Sequence, residues 1–290
     1  MSVKAQKAFF DGLAVSVSRI KITFFVWIVN FLFSVLVAAP LLFIIQTELA
    51  RSDMANLLKP FDLMWLGEMI FKYQAVLGPM LSFILAAAVL YLILSVFLNG
   101  GFVGKLVDPE RKLSLQSFFH DCGRFFWSFL RLFLVSFIFT AVAVGLVWRL
   151  LGAASEALTA DAVTEWPVLI LSNIHLILGL LFLSIVRMYF DYARIIIVRD
   201  NDRRVLRALR AAWSFLKANF FRAWGLYLLI FLFFVLVTAV AVALAQVFSS
   251  PGLVWVSLGL IAAQIFVIFR IFVKSVFITA QAHFLQGRGY

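Results

Sequence analysis

Six apolar runs, each about 20 residues or longer, constrain this chain more than any other feature. A helix rises 1.5 Å per residue, so about 20 helical residues cross the ~30 Å hydrocarbon layer of a bilayer. The runs are continuous, whereas membrane barrel strands alternate apolar and polar residues over about ten positions. The sequence therefore predicts an all-α, polytopic membrane protein. Its six transmembrane helices are residues 23–45, 77–98, 125–147, 168–190, 223–248 and 253–273.

The composition excludes a soluble globular domain. Apolar residues make up 64% of the 290 residues and charged residues 13%, against about 45–50% and about 25% in soluble domains. A globule of this size cannot bury so much apolar surface, so the excess must face lipid. We expect residues 1–290 to form a single integral membrane domain. The single cysteine, Cys122, excludes an internal disulfide framework.

The distribution of basic residues predicts the orientation of the chain. Of the 25 Lys and Arg residues, 21 fall on the side of the two termini and 4 on the opposite side. An excess of Lys and Arg marks the cytoplasmic side of a membrane protein. Both termini are therefore predicted to be cytoplasmic, and the six helices to form three hairpins. The second external connection is predicted over residues 148–167, and the third as a tight turn at Ser250 and Pro251.

Amphipathic helices are predicted at the cytoplasmic interface over residues 3–20, 114–124 and 202–220. The second and third follow two similar charged segments, VDPERKL at 107–113 and RDNDRRV at 199–205. Each charged segment is followed by an aromatic one, SFFHDCGRFFW at 117–127 and SFLKANFFRAW at 214–224. The N-terminal AFFDGLAVSVSRIKITFF is a degenerate third copy, so the chain is predicted to contain three two-helix units.

The third amphipathic segment is basic. Its candidate N-caps are Asp200, Asn201 and Asp202. Apolar residues recur at helical spacing on one face: Val205, Leu209, Trp213, Leu216 and Phe220. The other face carries the residues predicted to contact anionic lipid headgroups: Arg203, Arg207, Arg210 and Lys217. Docking of a protein partner in the membrane is the alternative. No nucleic-acid partner is predicted, because lipid phosphates beside an anchored helix satisfy these charges first.

Polar residues inside the spans are costly in lipid and are candidates for function. A possible polar path through the bundle would use Asn30, Asn173, His175 and Gln264. Interhelical hydrogen bonds are the alternative role for these side chains. Arg187 and Asp191 are four residues apart on one helix face and are predicted to form an ion pair.

The sequence predicts no catalytic, metal or cofactor site. The three histidines are not spaced as metal ligands, and no hydrolase or P-loop motif occurs. His120, Asp121 and Cys122 are adjacent, but neighbouring helical residues point about 100° apart, so they do not imply a nucleophile and its base. We expect a solvated interfacial loop at these three positions. A membrane enzyme acting on lipid would need Asp191, Asp200, Asp202 or His120 to converge.

Two stretches, GGFVGKLVDPERKLSLQSFF at 100–119 and DYARIIIVRDNDRRVLRALRAAWSFL at 191–216, carry a family resemblance. Together with the order of six spans, they resemble bacterial six-helix inner-membrane proteins. These are similar in style to the membrane domain that accompanies some glycerophosphodiester phosphodiesterases. The resemblance implies a fold and a bacterial inner-membrane location, but no catalytic residues. The predicted function is a non-enzymatic accessory, scaffold or lipid-organising protein; a transporter or channel is the alternative.

Overall fold

A computed structural model of the chain describes residues 5–49, 71, 74–108, 114–159, 164–247 and 253–287. These residues form seven α-helices, and none of them lies in a strand. The helices are α1 (Ala5–Ser18), α2 (Ile20–Leu49), α3 (Gln74–Val107), α4 (Leu115–Thr159), α5 (Glu165–Arg199), α6 (Val205–Val247) and α7 (Leu253–Gln286). Six of them, α2 to α7, are long and apolar enough to cross a membrane. The predicted all-α, polytopic membrane fold is therefore confirmed.

The chain divides into two compact units. The large unit comprises Met1–Thr23 and Val96–Tyr290, and the small unit comprises Phe24–Ser95. Within the small unit, the Tyr91 hydroxyl donates to Oδ1 of Asn30 at 3.4 Å. The prediction of a single membrane domain stays a prediction.

Helix α4 is longer than any predicted span. Its 45 residues correspond to about 67 Å of helix, roughly twice the hydrocarbon thickness of a bilayer. It absorbs the predicted interfacial segment 114–124 and continues to Thr159, and α5 begins at Glu165. The predicted external connection over residues 148–167 is thus helical, not a loop, at residues 148–159 and 165–167. Eight of the twelve residues 148–159 are Leu, Ala, Arg or Glu, which favour helix once an adjoining helix removes the cost of nucleation.

The middles of the long helices expose large apolar side chains. In the most apolar window of each candidate span, between 6% and 22% of the residues are buried. Exposed examples on three different helices are Phe137, Leu232 and Leu260, each more than 60% accessible. A surface of this extent is not stable against water. The lipid hydrocarbon must therefore cover it.

The densest core of the large unit lies at one end of its helices. We call this the basic end: α1, the C-terminal ends of α3, α5 and α7, and the N-terminal segments of α4 and α6. The aromatic rings of Tyr192 on α5 and Phe215 on α6 lie 5.2 Å apart, and Phe215 lies 5.9 Å from Phe284 on α7. All three side chains are under 2% exposed. This core fixes the positions of the charged residues that surround it.

Small residues allow α1 to pack closely on α7. The Thr279 hydroxyl donates to the Gly12 carbonyl at 2.8 Å and lies 2.9 Å from the Ser16 hydroxyl. A Cβ added at Gly12 would lie 2.5 Å from the backbone nitrogen of Ala280. Ala8, Gly12 and Ser16 are spaced four apart, which is the pattern of small residues at close helix crossings.

A second set of glycines packs the end of α3 on the start of α4. A Cβ at Gly101 would lie 2.6 Å from Cys122 Sγ and 2.8 Å from the Phe118 carbonyl oxygen. Gly100 and Gly104 also approach α4 closely, with added Cβ atoms 3.1 and 3.2 Å from its atoms. The aromatic segments of the three predicted repeat copies therefore all pack at the basic end: α1 on α7, α4 on α3 and α6 on α5.

A kink at Asn219 divides α6. Its backbone is non-helical, with φ −130° and ψ 19°, and its side-chain amide donates to the Phe215 carbonyl at 3.2 Å. Such a side-chain bond competes with the helical backbone and bends it. The amphipathic residues 205–218 are thereby separated from the apolar residues 220–247.

Helices α6 and α7 lie side by side and antiparallel, as predicted for a hairpin. Tyr227 contacts Phe277 and Phe233 contacts Phe269, with ring centroids 5.0 and 6.0 Å apart. The predicted turn at Ser250 and Pro251 lies outside the described residues.

Candidate functional site at the basic end

The residues predicted to contact headgroups lie on an exposed face of α6 and the turn before it. Arg203, Arg207, Arg210 and Lys217 are all exposed. The opposite face of the helix is buried in the core of the basic end and consists of Val205, Ala208, Leu209, Ala212, Phe215 and Leu216. This spacing of three and four residues is that of an amphipathic helix. Of the predicted apolar face, Val205, Leu209 and Leu216 are buried.

Trp213 departs from the predicted apolar face. It is 56% exposed, although it follows the buried Leu209 by one turn of the helix. Its ring contacts Tyr189 at a centroid distance of 6.1 Å and lies 5.2 Å from the ammonium of Lys217. The Tyr189 hydroxyl donates to the Leu209 carbonyl at 3.1 Å, which ties α5 to α6. Trp213 thus borders the basic face, and a tryptophan in this position suits the headgroup region.

The turn before α6 positions the first basic residues. Asp200 ends α5, and Asn201 has a φ of 50°, a left-handed conformation that asparagine tolerates. Asp202 accepts the backbone N–H of Arg204 at 3.0 Å and the guanidinium of Arg207 at 2.8 Å. Of the three predicted N-caps, Asp202 is the one whose carboxylate bonds the backbone at the start of α6.

A buried ion pair joins α3 to α4. Lys105 Nζ lies 2.9 Å from Asp121 Oδ2, and the two side chains are 3% and 4% exposed. The prediction of a solvated loop at residues 120–122 is wrong, because these residues are helical and both Asp121 and Cys122 are buried. Only His120 points outward, with 69% of its side chain exposed. Sequence reasoning missed this pair, although Phe118, Asp121 and Cys122 share the helical spacing of a buried face.

A second charged cluster joins α5, α7 and α3. Asp191 pairs with Arg194 at 3.0 Å. The Asp191 carboxylate also interacts electrostatically with Arg187, its predicted partner, and with Lys274. An i,i+3 pair is as accessible on a helix as the predicted i,i+4 pair. The ammonium of Lys274 also donates to Oδ1 of Asn99 on α3.

Two residues of the predicted polar path, Asn173 and His175, lie on α5 and have different surroundings. The Asn173 side-chain amide donates to the Leu169 carbonyl of its own helix at 2.7 Å. The His175 ring packs at a tilt of 49° against Trp148 of α4, with centroids 4.3 Å apart, and its buried Nε2 has no hydrogen-bond partner among the described residues. Residues two apart on a helix lie about 200° apart, so Asn173 and His175 face opposite sides of α5. The other two predicted path residues are Asn30, in the small unit, and Gln264, half-buried in α7.

An open cavity of about 620 Å³ lies beside the N-terminal segment of α4. The described residues that line it are Phe119, His120, Gly123, Arg124 and Arg203. A Cβ added at Gly123 would meet no heavy atom within 4 Å, so this part of the wall is open. The Ser128 hydroxyl donates to the Arg203 carbonyl at 3.4 Å and connects the turn to α4. Two guanidinium groups and an imidazole therefore border one open space.

No protein-family model, curated protein or solved structure matches the chain. The resemblance to bacterial six-helix inner-membrane proteins stays a prediction. The chemistry that the described residues offer is recognition of anions, since arginine supplies several N–H donors in a planar fork that fits phosphate oxygens.

Proposed function

We propose that this protein is a non-enzymatic accessory, scaffold or lipid-organising component of the bacterial inner membrane, and that its basic end binds anionic lipid headgroups. The observation that carries this proposal is the exposed basic face of α6. That helix is buried on its other side in the core of the basic end and leads, through the kink at Asn219, into an apolar span.

Electrostatics favours lipid as the partner of this face. Each Lys or Arg near an anionic leaflet contributes about 1 kcal/mol of attraction. Asp202 offsets part of the charge of Arg207, which leaves Arg203, Arg210 and Lys217 to supply most of the attraction. Exposed aromatic residues of α4 and α6 can enter the headgroup region: Trp127, Trp213 and Phe221.

Charge reversal on α6 tests the proposal. We expect Arg210→Glu with Lys217→Glu to lower the retention of phosphatidylglycerol by the purified protein about tenfold or more at low salt, because two attractions of about 1 kcal/mol each become repulsions. The difference should shrink as salt screens the charges. Native mass spectrometry of the protein with its bound lipid measures this retention.

The matched control keeps the charge and exchanges the side chains. Arg210→Lys with Lys217→Arg should retain lipid as the wild type does. Unchanged lipid retention in the charge-reversed protein, with loss of a co-purifying protein, would contradict lipid binding and identify the face as a docking site for a protein partner.

The orientation of the basic end is tested by cysteine labelling. In intact cells, a membrane-impermeant maleimide should label Glu156→Cys and leave Asn201→Cys unlabelled, because the basic-residue asymmetry predicts a cytoplasmic position for Asn201. Native Cys122 is fully buried and gives little background. After permeabilisation both cysteines should react. Labelling of Asn201→Cys in intact cells would reverse the topology.

A further inference from the structure

We propose that the cavity between α4 and the turn before α6 binds a phosphate monoester through Arg124, Arg203 and His120. This deepens the proposed function and rests on it for placing the cavity at the membrane surface. The phosphate can come from a phosphatidic acid headgroup or from a soluble phosphate ester. Both present the same group to the protein.

The charges around the cavity favour an anion. Two arginines line it, and none of the described lining residues is acidic. Two acids adjacent in sequence to these basic residues, Asp121 and Asp202, are already engaged. Asp121 Oδ1 is 3.6 Å from His120 Nδ1, but Asp121 is buried against Lys105. Asp202, next to Arg203, accepts from Arg207. The two guanidinium groups therefore keep their attraction for an external ligand.

The donor set fits a monoester better than a diester. A monoester has three terminal oxygens and carries between one and two negative charges, whereas a diester has two terminal oxygens and one charge. Each guanidinium can bond two phosphate oxygens, and the imidazole can donate one further N–H. The third terminal oxygen and the larger negative charge of a monoester therefore favour it over a diester at three basic groups.

The position and size of the cavity suit a headgroup. Arg124 directly precedes the span predicted from residue 125, and Trp127, 65% exposed, lies one turn further along α4. Tryptophan in such a position marks the membrane interface. A volume of about 620 Å³ exceeds that of phosphate alone and leaves room for an attached glycerol.

Lipid selectivity is the first test. We expect wild-type protein in nanodiscs to retain phosphatidic acid in preference to phosphatidylglycerol, as counted by native mass spectrometry. Arg124→Gln with Arg203→Gln should weaken phosphatidic acid binding about tenfold or more, since a charge-assisted hydrogen bond contributes on that scale. Phosphatidylglycerol retention should fall less, because only Arg203 of the two arginines lies on the headgroup-binding face. The control, Arg210→Gln with Lys217→Gln, removes the same amount of charge outside the cavity. It should weaken the binding of both lipids to the same extent.

Substitution of Gly123 tests the cavity without removing a contact. Gly123→Ala should bind phosphatidic acid as the wild type does, because the added Cβ meets nothing within 4 Å. Gly123→Glu places a carboxylate at the cavity and should abolish selective binding. Both residues are more favourable in a helix than glycine, so misfolding does not explain a loss.

Competition distinguishes the two sources of phosphate. Displacement of phosphatidic acid by glycerol 3-phosphate at similar concentration would support a soluble ester as the ligand; retention of the lipid would support the headgroup. Two negative results together would overturn the cavity proposal. Wild-type protein would show no preference for phosphatidic acid, and Gly123→Glu would bind glycerol 3-phosphate no less than the wild type does. Gly123→Glu could lower phosphatidic acid binding while charge reversal of α6 leaves phosphatidylglycerol retention unchanged. In that case the proposal of a headgroup-binding face on α6 fails and the cavity proposal stands.

Discussion

Replacing Lys105 with methionine is expected to lower the free energy of unfolding by about 3–5 kcal/mol. The substitution leaves Asp121 without its partner, and the side chain of Asp121 is 4% exposed. A charge stranded in this way costs far more than the ion pair contributes, because it has lost its hydration. Denaturant unfolding of the purified protein in detergent, followed by circular dichroism, measures the change.

Two further variants show whether the unpaired charge of Asp121 causes this loss of stability. Lys105→Met with Asp121→Ala removes both charges and should cost less than Lys105→Met alone. Lys217→Met removes an exposed lysine and should change stability by less than about 0.5 kcal/mol. Equal losses for Lys105→Met and Lys217→Met would show that the Lys105–Asp121 pair is not a buried ion pair in the folded protein.

Gly12→Ala is expected to destabilise the protein by about 1–3 kcal/mol through overpacking. The new methyl group would lie 2.5 Å from the backbone nitrogen of Ala280, and backbone cannot move aside as a flexible side chain can. Separation of α1 from α7 would also weaken the bond from Thr279 to the Gly12 carbonyl. Protease cleavage near the N-terminus should accelerate in parallel with the loss of stability.

Gly225→Ala is the matched control for this effect. Gly225 also lies in a helix, but an added Cβ there would meet no heavy atom within 4 Å. Alanine should therefore stabilise this position, by up to about 1 kcal/mol. If the two substitutions have the same effect, close packing of α1 on α7 is not what requires glycine at position 12.

The fold was predictable because the length and continuity of an apolar run are local properties of the sequence. The positions at which helices end were less predictable from the sequence. Arg149, Gly152 and Glu156 interrupt the apolar run and suggest the end of a span. Residues 148–159 nevertheless extend α4, because they follow an already formed helix and favour helical backbone.

The candidate site was predictable where one helix determines it. The basic face of α6 follows from the spacing of Arg203, Arg207, Arg210 and Lys217. Burial of Asp121 depends on its partner Lys105 on another helix, and the local sequence HDC gives no sign of that partner. The cavity likewise brings Arg124 of α4 to Arg203 of a distant turn. Such pairings arise from tertiary packing, which periodicity within one helix does not specify.

The depth of α6 in a bilayer tests the central claim most directly. A nitroxide attached at Ser214→Cys, exposed between Arg210 and Lys217 on the basic face, reports that depth through its relative accessibility to oxygen and to a water-soluble nickel complex. In nanodiscs containing phosphatidylglycerol, we expect a value between those of reference labels at Phe137→Cys, in hydrocarbon, and Asn201→Cys, in water. A label at Ser214→Cys as accessible to nickel as the one at Asn201→Cys would contradict a basic end seated on lipid headgroups.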